Sequence, residues 1–201
     1  MDDELNAKDY IDAGVRTLMS SVPYVGDGLV EIFYGFSAQR EMKRFRSFYE
    51  KLIPIIMEAE NLELDTENQD QLVSIIETIH EEIRKLSFER KQSYFVNAYA
   101  NLLNQRKRIN FDEEEYFIEV LSSMTIVEID FLVRHQKDCH SKKSFSVRNE
   151  GTLDKGVANR LRDYGFLEEY TDAYNSGAKY FGFSFSDLGV AFSKFILTPT
   201  N

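Results

Sequence analysis

Apolar residues repeat at helical spacing through most of the first 122 positions of this 201-residue chain. In three segments an apolar side chain returns every three or four residues, which places it on one face of a helix. The three stripes are Phe45, Tyr49, Leu52 and Ile56; Leu72, Ile76, Ile79, Ile83 and Leu86; and Phe95, Ala98, Tyr99 and Leu102. Each lasts about two heptads, which favours an antiparallel helical bundle within the chain. A coiled coil with a second chain, and so a homo-oligomer, is the alternative.

Prolines, caps and glycines indicate where helices begin and end. Pro54 lies inside the first stripe, so we expect a kink or a break near Ile53. Thr125 followed by Glu128 has the spacing of a capping box and predicts the start of a helix. Gly165 predicts the end of a later one, because glycine favours the position just beyond a helix.

The tail changes to a different pattern, with short alternating strands between helices. It predicts a strand, a helix ending at Gly165, two strands around a turn at Asn175–Gly177, and a last helix; the strands are Lys143–Val147, Phe166–Tyr170 and Lys179–Phe185. That order is typical of a winged helix. The predicted fold is therefore mainly α, with an acidic helical bundle at 1–110 followed by a winged-helix-like α+β domain at 111–201.

The net negative charge of the chain comes from its first part. The net charge is −10, and residues 1–124 hold 14 Lys and Arg against 24 Asp and Glu, whereas the remaining residues hold 10 of each. Phosphate contacts supply most non-specific affinity for nucleic acid, so a protein that coats nucleic acid has a basic excess. The acidic part predicts a solvated or protein-facing surface, and only a local patch on the tail is suited to DNA.

The helix before the predicted hairpin is the candidate DNA contact. In a winged helix this helix enters the major groove, and here it carries Lys155, Asn159, Arg160 and Arg162. Asparagine pairs with adenine edges and arginine with guanine edges, so the chemistry is suitable. Asp154 and Asp163 dilute the charge at both ends, and we therefore rank DNA binding behind protein binding.

A basic run and an aromatic segment precede the first stripe. Arg40, Lys43 and Arg44 share one helix face and Arg46 lies apart, which is typical of a solvated face balanced by nearby acids. Within residues 22–36, the apolar side chains are candidates for a partner or membrane contact, although core packing is the favoured interpretation; they are Leu29, Ile32, Phe33 and Phe36.

No reaction centre is indicated by the remaining residues. His135, Cys139 and His140 are close in sequence, but a zinc site needs four well-spaced ligands. We therefore expect no metal, no cofactor and no enzymatic activity. A single cysteine and an acidic start, where a secretory signal would be basic, favour a cytoplasmic protein.

Two stretches at the join between the halves resemble the abortive-infection alpha family of prokaryotic proteins. The first, Phe88–Leu103, ends in Ala-Asn-Leu-Leu, and the second, Phe117–Leu132, contains Leu-Ser-Ser-Met-Thr-Ile-Val-Glu-Ile. Residues 23–26 (Pro-Tyr-Val-Gly) and the turn at residues 160–167 fit the same pattern. Met124 stands where the family more often has leucine.

The resemblance implies a bacterial or phage protein of phage–host conflict, and it transfers no catalytic residues. Together with the charge distribution, it predicts a non-enzymatic interaction protein, of abortive-infection or counter-defence type, that acts by binding another protein. A winged-helix transcriptional regulator that binds duplex DNA is the alternative. A membrane-active protein that uses residues 11–36 is the third and least favoured.

Overall fold

The computed structural model describes residues 39–58, 69–86, 89–104, 111–135, 145–147, 152–173 and 179–197. This part of the chain is mainly helical and includes a small sheet. The elements in chain order are α1 (Gln39–Glu58), α2 (Gln69–Lys85), α3 (Glu89–Asn104), α4 (Phe111–Ser123), α5 (Ile126–Arg134), β1 (Phe145–Ser146), α6 (Leu153–Asp163), β2 (Leu167–Ala173), β3 (Lys179–Phe185) and α7 (Asp187–Leu197).

The chain divides into two compact units after Ser122. The second unit runs from Ser123 to Thr198. The sequence predicts the division after residue 110. The difference arises because α4 belongs to the first unit, so the division comes at the end of that helix.

In the first unit α1, α2 and α3 each pack against the other two. The apolar stripes form their common core, as the periodicity predicts, and Phe48 and Ile75 are buried with them. Leu86 is only half-buried, because it lies beyond the last residue of α2. The side chain of Ile56 lies outside the described residues.

Helix α1 continues through Pro54 to Glu58, so the break expected near Ile53 does not occur. Proline removes the amide hydrogen that would bond to the carbonyl four residues earlier, at Glu50. Glu50 and Pro54 are both exposed, and a carbonyl on that side is accessible to water. The helix therefore tolerates proline on its solvent side.

A histidine is buried at the centre of this core. The Tyr49 hydroxyl and His80 Nε2 are 2.8 Å apart, and the rings of Phe45, Phe48 and Tyr99 surround the imidazole at 5.8–6.5 Å. His80 Nδ1 and the Tyr99 hydroxyl have no hydrogen-bond partner among the described residues. Burial lowers the pKa of His80 to about 3, because the charged imidazolium would lose its hydration.

The second unit begins with the predicted capping box. The Glu128 carboxylate accepts from the Thr125 amide at 2.6 Å, and the Thr125 hydroxyl accepts from the Glu128 amide. The three strands form an antiparallel sheet in the order β1-β3-β2, with Phe145 opposite Phe183 and Leu167 opposite Phe185. The first strand is shorter than predicted, and the turn expected at residues 175–177 lies outside the described residues.

Helix α7 packs tightly on Phe166, the residue that precedes β2. The rings of Phe166 and Phe192 stack at 4.3 Å, and a Cβ added to Gly189 would stand 2.2 Å from the Phe166 carbonyl oxygen. A side chain at position 189 would therefore push α7 away from the sheet. Phe192, Phe195 and Ile196 are buried, and Val190 is half-buried.

We predict that His80 makes the first unit sensitive to acid. The pKa of its imidazole is about 3 in the folded protein and about 6.5 in the unfolded chain. Below pH 6.5 the unfolded chain therefore binds a proton that the folded protein does not, and stability is lost as the pH falls towards 3. At pH 5 this single group should lower the free energy of unfolding by about 2 kcal/mol.

Glu114 acts in the opposite direction, so the pH profile of the native protein does not isolate His80. Burial, followed by the charge of Glu113, raises the pKa of Glu114 to about 8. The unfolded chain releases this proton at about pH 4.5 and the folded protein only at about pH 8, so the folded protein loses stability as the pH rises between these values. The informative comparison is urea unfolding of the native chain and of His80→Gln at pH 7 and pH 5. The native chain should lose more stability than the variant, and equal losses would contradict the prediction.

Candidate nucleic-acid interface

Helix α6, which carries the candidate DNA-contacting residues, is fixed at both ends by local hydrogen bonds. The Thr152 hydroxyl accepts from the Lys155 amide at 3.3 Å and caps the start. At the other end Gly165 has a φ of 77°, and the Phe166 amide donates back to the Leu161 carbonyl at 2.9 Å. This is a Schellman motif, and it confirms the helix end predicted at Gly165.

Lys155 is turned onto the sheet and away from solvent. Its side chain is only 13% exposed, and its ammonium lies 2.9 Å from Glu169 Oε1 on β2. The same nitrogen is 4.7 Å from the centre of the Phe183 ring on β3, a cation–π geometry. Lys155 therefore joins α6 to both long strands and does not project outwards.

Arg162 shares the same carboxylate. Its guanidinium forms an ion pair with Glu169 Oε2 and a second one, at 3.3 Å, with the neighbouring Asp163. The hydrogen bond from Lys155, with that from Arg162, lowers the pKa of Glu169. One carboxylate on β2 thus pairs with two of the three candidate cations and offsets part of their charge.

Arg160 is paired with a carboxylate on a different helix. Its Nε lies 2.9 Å from Glu128 Oε1, and the Glu128 side chain is only 2% exposed. Its Nη2 donates to the Tyr164 hydroxyl at 2.6 Å. Glu128 is the carboxylate that caps α5. Arg160 therefore compensates the buried negative charge of a residue that stabilises the start of that helix.

Asn159 is half-buried, and its Oδ1 has no hydrogen-bond partner in the described part of the chain. The four candidate residues therefore share one helix, as the sequence predicts, but they do not form a row of outward-facing donors. Phosphate binding at Lys155, Arg160 or Arg162 would compete with ion pairs that already exist within the unit.

The pairings that sequence reasoning missed all join residues on different elements. Besides those of Glu169 and Glu128, Arg134 at the end of α5 binds Asp154 at the start of α6 with an N–O distance of 2.9 Å. The hydrogen bond from Arg134 lowers the pKa of Asp154. No spacing along the chain signals these pairs, because each depends on how α5, α6 and β2 are placed in space.

The other candidate residues are placed as follows. Leu29, Ile32, Phe33 and Phe36 lie outside the described residues, as do Cys139 and His140. The His135 ring stacks on Phe145 at 4.1 Å. Within the described ranges no group of three His, Cys, Asp or Glu side chains is placed to hold a metal ion.

No family model, curated protein or solved structure matches this chain. None of the described helices has the length and the apolar character needed to cross a membrane.

We predict that Arg160→Met destabilises the protein more than Arg162→Met does. Removing Arg160 leaves the buried Glu128 carboxylate without its cation, which should lower the free energy of unfolding. Removing Arg162 leaves Glu169 paired with Lys155. An exposed ion pair contributes little to stability, so this loss should be the smaller one. Urea unfolding of both variants measures the difference.

The double variant Arg160→Met with Glu128→Gln provides the control for that comparison. Its loss of stability should be smaller than the sum of the two single losses, because the interaction is counted twice in that sum. Equal losses for the two arginine variants, or full additivity in the double variant, would contradict a structural role for Arg160.

Proposed function

We propose that this chain is a non-enzymatic, cytoplasmic protein of phage–host conflict that acts by binding another protein through its second unit. In this proposal the first unit is a helical bundle and the second is a winged-helix-like module. Two features support the second assignment: the strand order β1-β3-β2, and the position of α6 immediately before the β2–β3 pair.

The observation that carries the proposal is the nature of the surface of the second unit. Its candidate cations are paired internally, whereas four of its large apolar side chains are exposed. Among the described residues, every large hydrophobic side chain that is exposed belongs to this unit: Val127, Val133, Leu153 and Tyr170. Exposed apolar side chains favour protein contacts over phosphate contacts.

Leu153 and Val133 are the best candidates for the contact itself. Leu153 is 69% exposed at the start of α6, and Val133 is 40% exposed near the end of α5. Each directly precedes a member of the Arg134–Asp154 ion pair, which joins these two helix ends at 2.9 Å. The two apolar side chains therefore stand on adjoining helix ends, and a partner could bury both.

The resemblance to the abortive-infection alpha family supports the setting of phage–host conflict. Its two stretches correspond to α3 and to the segment from α4 into α5. Ala100, Leu102 and Leu103 are buried, and Thr125 caps a helix. These residues pack the core or cap a helix, so the resemblance concerns the fold and transfers no catalytic residue.

Binding of duplex DNA is the second candidate function. The position of α6 before the two long strands favours it, because that is the recognition helix of a DNA-binding winged helix. The ion pairs of Lys155, Arg160 and Arg162 with carboxylates of the same unit disfavour it, since those carboxylates offset part of the positive charge that would attract a phosphate.

The proposal is tested in bacteria that express the chain and are challenged with phages. Plaque formation should change on expression: it falls if the protein acts in defence, and it is restored on a defended host if the protein acts in counter-defence. Leu153→Asp should abolish this effect, because a carboxylate at a dry interface is unfavourable. A photo-crosslinking amino acid at position 153 should give one defined protein adduct.

The matched control is Ser74→Asp, which adds the same charge at an exposed position of α2. This variant should behave as the native chain does, and circular dichroism should show that both variants are folded. A Leu153→Asp protein that is folded and retains full activity against plaque formation would refute the proposed contact.

A further inference from the structure

The first unit contains a cleft of about 220 Å³ between the first turns of α1 and the start of α3. One face of α1 supplies three cations to it, Arg40, Lys43 and Arg44, which stand at the i, i+3 and i+4 positions of a helix face. The rest of the lining is formed by Ser47, Leu86, Glu89 and Gln92. The sequence assigned these cations to a solvated face balanced by neighbouring acids.

That balance is not found among the described residues. No described carboxylate forms an ion pair with Arg40, Lys43 or Arg44, whereas Arg46, on another side of the same helix, pairs with Glu50 at 2.8 Å. Glu89 lies in the cleft, but its carboxylate accepts from Ser47 at 3.3 Å and lies 4.0 Å from Lys51. Three cations that form no ion pair with a described carboxylate thus converge on one cleft of a protein with a net charge of −10.

The wall of the cleft is held in place by a buried amide. Gln92 is 3% exposed, and its Nε2 donates to the Arg44 carbonyl at 2.7 Å. Its Oε1 accepts from Ser47 at 3.0 Å and from Lys51 at 3.1 Å. These bonds fix α3 against α1, so the cations project from a rigid support.

Arg44 is also oriented before any ligand arrives. Its Nη1 donates to the Arg84 carbonyl in the last turn of α2. A guanidinium has five N–H donors, so this bond orients the group and leaves other donors for an anion. Glu89, which also lines the cleft, is the first residue of α3, and the backbone amide groups of that first turn carry partial positive charge.

We propose that this cleft binds the phosphomonoester or pyrophosphate group of a small soluble ligand. Two guanidinium groups and an ammonium suit an oxyanion that carries more than one negative charge. The volume is below the ~300–1,000 Å³ of sites for larger ligands, so it suits a phosphate group rather than a whole dinucleotide. A nucleic acid polymer is disfavoured because the surrounding residues 1–124 are net acidic.

Isothermal titration calorimetry with sodium pyrophosphate, at about 0.1 M salt, tests the site. The native chain should bind with a stoichiometry of one. Arg40→Gln and Lys43→Gln should each weaken binding about tenfold or more. Arg46→Gln removes the same charge from the same helix outside the cleft and should bind as the native chain does.

Two further arms identify the source of the phosphate group. Adenosine diphosphate shows whether a nucleoside adds affinity to pyrophosphate, and vesicles of phosphatidylcholine with phosphatidic acid present the group on a lipid surface. The proposal fails if pyrophosphate does not bind at millimolar concentration, even when the protein binds the vesicles. It also fails if Arg40→Gln, Lys43→Gln and Arg46→Gln all bind pyrophosphate equally. Leu153→Asp should leave pyrophosphate binding unchanged, which separates this site from the proposed protein contact.

Discussion

In the second unit, the carboxylate of Glu169 determines how the cations of α6 are placed. It lies on β2 and holds Lys155 and Arg162 of α6 at the same time. The strand is fixed by its pairing with β3, where Glu169 stands opposite Phe183, and Phe183 is the ring beneath the Lys155 ammonium. Helix, strand and ring therefore form one connected group, and the charges of α6 are part of the fold before any partner is considered.

The described ion pairs of the two units differ. In the second unit Arg160 compensates the buried Glu128, and Arg134 joins α5 to α6 through Asp154, so cations link elements. In the first unit the core depends on apolar stripes around the neutral His80, and Arg40 and Lys43 are not matched by a described carboxylate. The tail has no net charge, and the candidate cations of α6 are already paired. In the acidic part of the chain, by contrast, three cations line one cleft.

Local features could be predicted from the sequence, and contacts between distant elements could not. The capping box of Thr125 and Glu128, the helix end at Gly165 and the buried stripes of α1, α2 and α3 depend on residues within a few positions of each other. The continuity of α1 through Pro54 depends on which side faces water. The candidate residues of α6 were assigned to the correct helix, but their pairing with Glu169 and Glu128 depends on tertiary packing, which periodicity does not contain.

The most direct test of the central claim is the salt dependence of binding to a fluorescently labelled duplex DNA, measured by anisotropy for the native chain and for Glu169→Gln. Removing this carboxylate takes away the single negative charge that two cations of α6 share. We expect the native chain to bind weakly with little dependence on salt, and the variant to bind more tightly with a steeper dependence. Tight, strongly salt-dependent binding by the native chain that is lost in Arg162→Ala would contradict the account.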